Sequence, residues 1–239
     1  MKLLLSGEGP TDIGTRSQDN TFLHGPMTCF IDILATPVLG YSPRDIEGEH
    51  EDILVFCSKQ ELLDRGKPGI TKLAGKKYGK NRSFFTANAQ VLGSIANQKM
   101  HEENCPYIAV LFRDGDGSRS KDEWQEKWDS IVRGFALEDF NFGVPMVPRP
   151  KSEAWLLQAH MNQENPSETY ETRTGNRASS FDMKAQLELL IEGHPSREYL
   201  VQLIDEGTIS PKNISAQCSS FRTFRDALVH ALTEALQGN

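Results

Sequence analysis

Three short stretches of this chain concentrate side chains able to do chemistry, and all three are acidic. Glu8 and Asp12 stand in Gly7-Glu8-Gly9-Pro10-Thr11-Asp12, Asp114 and Asp116 flank Gly115, and Glu153 follows Pro150-Lys151-Ser152. Carboxylates drawn to one place repel each other unless a cation lies among them. A set made of oxygens, without histidine or cysteine, is a hard-ligand set suited to Mg²⁺ or Mn²⁺ rather than zinc. A divalent ion so held polarises a phosphoryl oxygen and activates water. Gly7, Gly9, Gly115 and Gly117 let the backbone turn sharply around the acids and leave room for a phosphate. Each stretch also has a plain reading. Gly-Glu-Gly-Pro and Asp-Gly-Asp-Gly are ordinary turns, and Glu153 complements a helix dipole. The three together, each following an apolar run, point to a metal site.

The second feature is charge. Acidic residues number 33 and basic ones 26, a net charge of −7. From Arg65 to Arg82 there are seven basic residues and no acidic one, so the rest of the chain carries −14. A basic segment on an acidic body suggests a local anionic partner, and a phosphate backbone fits. Lys72, Lys76, Lys77, Lys80 and Arg82 are the candidate nucleic-acid contacts, with Tyr78, Phe84 and Phe85 nearby as stacking surfaces. The bland alternative is a solvated loop, the usual fate of charge runs.

The elements that must position these groups alternate between strand and helix. Leu3-Leu4-Leu5, Ile53 to Cys57, Tyr107 to Phe112 and Gly143 to Val147 read as buried strands of a parallel sheet. Residues 15 to 25 read as loop, and 27 to 40 as a helix ending near Pro37. The stretch 65 to 82, with four glycines and a proline, reads as a loop or irregular insertion. Asn88 to Met100 has helical composition. Lys121 to Phe135 reads as an amphipathic helix with Trp124, Trp128, Ile131, Val132 and Phe135 on its apolar face. Ser152 is the expected N-cap of the next helix, in which Trp155 and the leucine pair belong to the core. Residues 161 to 180 read as a mobile loop. Helices are expected at about 181–192, 196–206 and 219–236, the last with Phe221, Phe224, Leu228, Leu232 and Leu236 on one face. In an open parallel sheet, ligands bind outside the carboxyl ends of the strands. All three acidic stretches follow a strand, so four carboxylates meet if those strands are neighbours.

These residues resemble the Toprim domain of topoisomerases, primases and nucleases of the overcoming-lysogenisation-defect type. Its marks are a Glu after the first strand, a D-x-D after a later one, and a further acid. A group of stand-alone bacterial Toprim-like proteins is closer still, with E-G-P-T-[DE], then D-x-D, then P-x-x-E-A-W-L-L. Here these read Glu8-Gly9-Pro10-Thr11-Asp12, Asp114-Gly115-Asp116 and Pro150-Lys151-Ser152-Glu153-Ala154-Trp155-Leu156-Leu157. The Cys218 to Leu228 segment also looks like that group. The resemblance implies a Toprim-like (Rossmann-like) α/β fold, a mostly parallel sheet flanked by helices with a helical C-terminal part. It implies a catalytic domain over 1–160, with a basic insertion at about 58–86, and C-terminal helices over 161–239 packed on it. It implies Mg²⁺-dependent hydrolysis of nucleic-acid phosphodiesters, DNA ahead of RNA. Glu8 would then be an acid/base or metal ligand, Asp114 and Asp116 would hold metal with Asp12, Glu153 would be a further ligand, and Lys151 would stabilise the phosphate. A place in a phage-defence or mobile-element system also follows. Since the sequence has no Walker motif, any ATPase would be a separate chain.

Other chemistries remain open or are excluded on residues. The Asp114-Gly115-Asp116-Gly117-Ser118 run also fits the strand-then-D-x-D-G-[ST] motif of haloacid-dehalogenase phosphatases, with Asp114 as nucleophile. A non-catalytic subunit of an ATPase complex is a third reading. An EF-hand calcium loop is rejected: Arg119 stands where glycine is needed, and Gln125 where the bidentate Glu belongs. His160 and His230 are expected to be structural, and Asp19, Asp32, Glu47, Glu49 and Glu51 to be surface charge. Four scattered cysteines argue against a disulfide framework or zinc ribbon and suggest a reducing cytosol. The longest apolar run has six residues, too short for a transmembrane helix, and Leu3-Leu4-Leu5 is too short for a signal peptide.

Overall fold

A computed structural model of the chain describes residues 1–19, 21–46, 53–65, 81–115, 120–160, 169–173, 182–214 and 218–238. Its centre is a parallel sheet. Strands β1 (Lys2–Ser6), β4 (Leu54–Cys57), β5 (Tyr107–Phe112) and β6 (Gly143–Met146) lie in the order β4-β1-β5-β6. Leu3 faces Leu54 on one side and Ile108 on the other, and Phe112 faces Met146. Every residue of β5 is buried, because helices cover both faces of the sheet. Burying a side chain of this kind contributes roughly 1.5–3 kcal/mol. Continuous apolar strands such as Tyr107–Phe112 are therefore what a two-sided parallel sheet selects.

Helices α3 (Asn81–Glu103) and α4 (Lys121–Ala136) pack on each other, α3 against β5 and α4 against β6. The α3–α4 approach is close because Gly134 lacks a side chain: a Cβ there would lie 2.3 Å from the Thr86 carbonyl oxygen. Helices α1 (Pro26–Leu39) and α8 (Ser219–Gln237) form the other pair, with α8 also packed on β5 and β6. Right-handed crossovers put these pairs on opposite faces. Between them in the chain come α2 (Lys59–Arg65), α5 (Ser152–Ala159), a single 3-10 turn at Tyr170–Thr172, α6 (Met183–Leu190), α7 (Arg197–Asp205) and a second such turn at Pro211–Asn213. The connection from β1 leads to β4 on one side, whereas β5 lies on the other. The carboxyl ends of β1 and β5 thus form the switch point, where open α/β sheets bind ligands. Among the described residues, no helix is long and apolar enough to cross a membrane.

Several expectations are corrected. Residues 15 to 25 are not plain loop: β2 (Gly14–Arg16) and β3 (Phe22–His24) form an antiparallel hairpin. Its strands are too short to show alternation, and tertiary contacts hold it. Arg16 Nη2 donates to the Phe56 carbonyl at 2.7 Å, and Phe22 stacks on Phe56 at 4.9 Å. Helix α1 runs through Pro37 to Leu39 and ends at Gly40, whose φ of 80° suits glycine. A proline in the last turn removes one hydrogen bond, while Met27, Phe30 and Ile31 anchor the helix in the core. The third helix begins at Asn81 rather than Asn88. Val132 (45 % exposed) and Leu236 leave the predicted apolar faces. Asp32 is not surface charge but buried, accepting from Ser42 Oγ at 2.9 Å and the Arg44 N–H at 3.0 Å. His160 is buried and bridged to Ile209, whereas His230 is exposed. Glu47, Glu49 and Glu51 lie outside the described residues. The four cysteines are free, and burial pushes the Cys29 and Cys57 thiols up to about 12.

Candidate functional site

The turn after β1 is drawn tight by what lies under it. A Cβ on Gly7 would sit 2.6 Å from Ile13 and 3.2 Å from Phe112, so Gly7 lets the chain pass close over the sheet end. Glu8 then emerges at the rim with a side chain 42 % exposed. Asp12 lies half-buried behind it, its carboxyl pushed up to about 6. Desolvation is the main cause, and the negative charges of Glu153 and Glu8 add to it. Hydrogen bonds from Ser152 and Thr11 work the other way. The first acidic stretch and Glu153 are therefore electrostatic neighbours, although over 140 residues separate them in the chain.

The second stretch is tied to the third through the backbone. The Arg113 N–H continues the ladder past β5 to the Met146 carbonyl at 3.0 Å, and the Gly115 N–H reaches the Pro148 carbonyl at 3.0 Å. A side chain on Gly115 would lie 2.5 Å from that oxygen, so glycine is needed for the approach. Lys127 Nζ secures the Gly115 carbonyl from α4 at 2.9 Å. Asp114 Oδ1 accepts the Ser152 N–H at 2.9 Å. A strand-end carboxylate thereby caps the first turn of α5, where helix N–H groups lack partners of their own. This corrects the expected role of Ser152. Lys151 occupies the cap position without a side-chain bond, and Ser152 is the first helical residue, its hydroxyl turned to Asp12 and toward Glu153 at 3.4 Å. Lys151 Nζ stands 3.8 Å from Glu153 Oε1.

Arg113 is a site residue the sequence reading missed. Its side chain is 0 % exposed, Nη1 lies 3.8 Å from Glu8 Oε1, and the guanidinium sits 5.3 Å from the centre of the Phe84 ring. Burial lowers its pKa, and Glu8 opposes that. The available signal was position, directly between the strongest strand and the D-x-D. A second missed residue is Glu171, buried in the stretch read as mobile loop. It accepts from the Ser219 N–H at 2.9 Å and the Ser220 N–H at 2.6 Å, and pairs with Arg149 at 3.1 Å. Trp155 Nε1 donates to Ser220 Oγ at 2.9 Å. The turn carrying Lys151 and Glu153 is thus anchored to the start of α8. Trp155, Leu156 and Leu157 are buried, as expected.

The fold therefore brings Glu8, Asp12, Asp114, Lys151 and Glu153 to one edge of the sheet. Asp116, Lys72, Lys76, Lys77, Lys80 and the Arg82 side chain lie outside the described residues. Among the described residues, no three of His, Cys, Asp and Glu stand close enough to hold a metal ion. Asp12 feels the charges of Glu153 and Glu8, and Asp114 is linked to the same turn through the Ser152 N–H. Their all-oxygen chemistry and the raised Asp12 carboxyl both fit a hard divalent cation. No family model, curated protein or solved structure matches the chain.

Proposed function

We propose that this chain is a Mg²⁺- or Mn²⁺-dependent phosphodiesterase acting on nucleic acid, with a Toprim-like fold. The observation that carries the reading is the placement of Glu8, Asp12, Asp114 and Glu153 along the carboxyl edge of the sheet, with the Asp12 carboxyl raised by burial and, secondarily, by the charges of Glu153 and Glu8. Asp12, Asp114 and Glu153, with Asp116, are the residues that would hold the cation. A divalent ion there supplies Lewis acidity to a phosphoryl oxygen and makes bound water a stronger acid. Glu8, exposed at the rim, is the group able to take or return a proton at the attacking water. Lys151 offers its ammonium to the phosphate, and the segment carrying Lys72, Lys76, Lys77, Lys80 and Arg82 engages the flanking backbone. On this reading the chain works in the cytoplasm, in a phage-defence or mobile-element system, with any ATPase supplied by a separate chain.

Incubation with DNA and RNA in Mg²⁺ or Mn²⁺ tests this. Cleavage is expected in the wild type and lost in Asp116→Ala and Glu153→Ala. Undiminished cleavage in either variant contradicts the mechanism. A phosphatase reading would take Asp114 as nucleophile rather than metal ligand. Trapping an aspartyl-phosphate mimic on Asp114 would favour it instead.

A further inference from the structure

A guanidinium carries five N–H donors in a planar fork and stays charged at any ordinary pH. Taking one out of water without acceptors is costly. Arg113 is in that position. Among the described residues, none of Nε, Nη1 and Nη2 has a hydrogen-bond partner. The Glu8 carboxylate is its counter-charge at 3.8 Å, beyond hydrogen-bond reach. The Phe84 ring covers one side without supplying an acceptor. The Arg113 backbone is fixed by the Met146 carbonyl, so the fork stays at the end of β5. Glu8 is far more exposed than the arginine it faces. A buried fork with one loosely placed acid at its mouth is an anion receptor with an exchangeable lid.

We propose that Arg113 receives a phosphate-class oxyanion at the switch point, bidentately, and that Glu8 is the counter-ion this anion displaces. Planar two-point recognition of phosphate is what a guanidinium does and an ammonium does not. Because Glu8 and the anion compete for one cation, removing the Glu8 charge strengthens anion binding, whereas removing Arg113 abolishes it. Glu8 is also part of the repulsion felt by Asp12, so moving it toward a cation held by Asp12 and Glu153 uncovers the fork. Anion and divalent cation therefore help each other bind, and the coupling is reciprocal. The identity of the anion as a nucleic-acid phosphate rests on the proposed function; the receptor itself does not.

Inorganic phosphate is the probe, titrated calorimetrically into full-length protein in EDTA and again in Mg²⁺. In EDTA, Glu8→Gln is expected to bind phosphate about tenfold tighter than wild type, and Arg113→Met at least about tenfold weaker than the same protein with Arg113. Arg113→Lys, which keeps the charge but loses the fork, falls between. Wild-type affinity rises when Mg²⁺ is added. Phosphate binding unchanged in Arg113→Met, or weakened in Glu8→Gln, overturns the proposal. Thermal melts accompany each variant, and if Arg113→Met fails to fold, Glu8→Gln and Arg113→Lys decide. Phosphate binding with this pattern but no cleavage of DNA or RNA keeps the receptor and removes the nuclease; cleavage with no dependence of phosphate binding on Arg113 does the reverse.

Discussion

Arg113 and Arg149 are both arginines facing one carboxylate at the carboxyl edge of the sheet, yet the two pairs are built differently. Arg149 meets Glu171 at 3.1 Å, and Glu171 also accepts two backbone N–H groups and the Ser219 hydroxyl at the start of α8. That carboxylate is saturated and buried, and it holds the helix in place. Arg113 meets Glu8 at 3.8 Å, without hydrogen bonds on its fork, and Glu8 opens to solvent. A buried ion pair is stable only when further hydrogen bonds satisfy its remaining lone pairs and protons. The Glu171 carboxylate meets that condition, with Arg149 Nε the one buried donor of its partner left without an acceptor among the described residues, and the pair reads as structure. The Glu8 pair does not, and its open valence reads as a place for something else.

Breaking the saturated pair is expected to have the largest effect on stability. Glu171→Ala leaves the Arg149 charge and the α8 N–H groups without their acceptor, and should destabilise by about 3–5 kcal/mol in denaturant unfolding. A loss under about 1 kcal/mol would mean the two pairs are not different in kind. The next effect has the opposite sign. Asp12 ionises in the fold only against desolvation and its acidic neighbours, with a carboxyl near 6 against 3.8 in the unfolded chain. Its charged form therefore opposes folding increasingly as pH rises from 3.8 through 6, and fully above. Asp12→Asn should stabilise the metal-free protein at pH 8 by about 1–2 kcal/mol while weakening Mg²⁺ binding, a site residue kept against stability. Destabilisation by this substitution would contradict the electrostatic reading.

Opening the Arg113 pair should change stability least. Arg113→Met replaces an unsatisfied buried charge by a side chain that packs on Phe84, and is expected within about 1 kcal/mol of wild type in either direction. A large loss would make Arg113 structural, like Arg149. A separate pH effect sits on the hairpin. Burial, and then the Arg44 charge, push His24 down to about 4. The unfolded chain protonates at about 6.5 first, so stability is present above 6.5 and falls as pH drops from there toward 4. His24→Gln should flatten that slope in urea midpoints between pH 6.5 and 5, and an unchanged slope would place the titration elsewhere.

What could be read from sequence follows the reach of each interaction. Tyr107–Phe112 was legible to the residue because an uninterrupted apolar run bounded by polar residues suits one role, the centre of a covered sheet. Helix α4 was legible because its tryptophans recur at helical spacing; the cap by Ser120, which accepts the Glu123 N–H at 3.1 Å, was seen only in the structure. The hairpin was not, because its hold is on Phe56, far along the chain. Asp32 was misread because its donors, Ser42 and Arg44, lie in the turn beyond its helix, and the stretch holding Glu171 because the donors at Ser219 and Ser220 lie far along the chain. A carboxylate looks like surface charge until the donors that satisfy it are known. Within the site, the acids were visible by type and by their place after strands, whereas Arg113 became visible only once β1 lay beside β5 and brought Glu8 over it.

The most direct measurement is the anomalous map of a crystal soaked in Mn²⁺. A peak bounded by carboxylate oxygens of Asp12, Asp114 and Glu153, at about 2.1–2.3 Å from each, is the expected result, with Glu8 drawn off Arg113. Saturating Mn²⁺ that leaves this edge of the sheet empty, or that binds only at other carboxylates, would contradict a cation-dependent active site here.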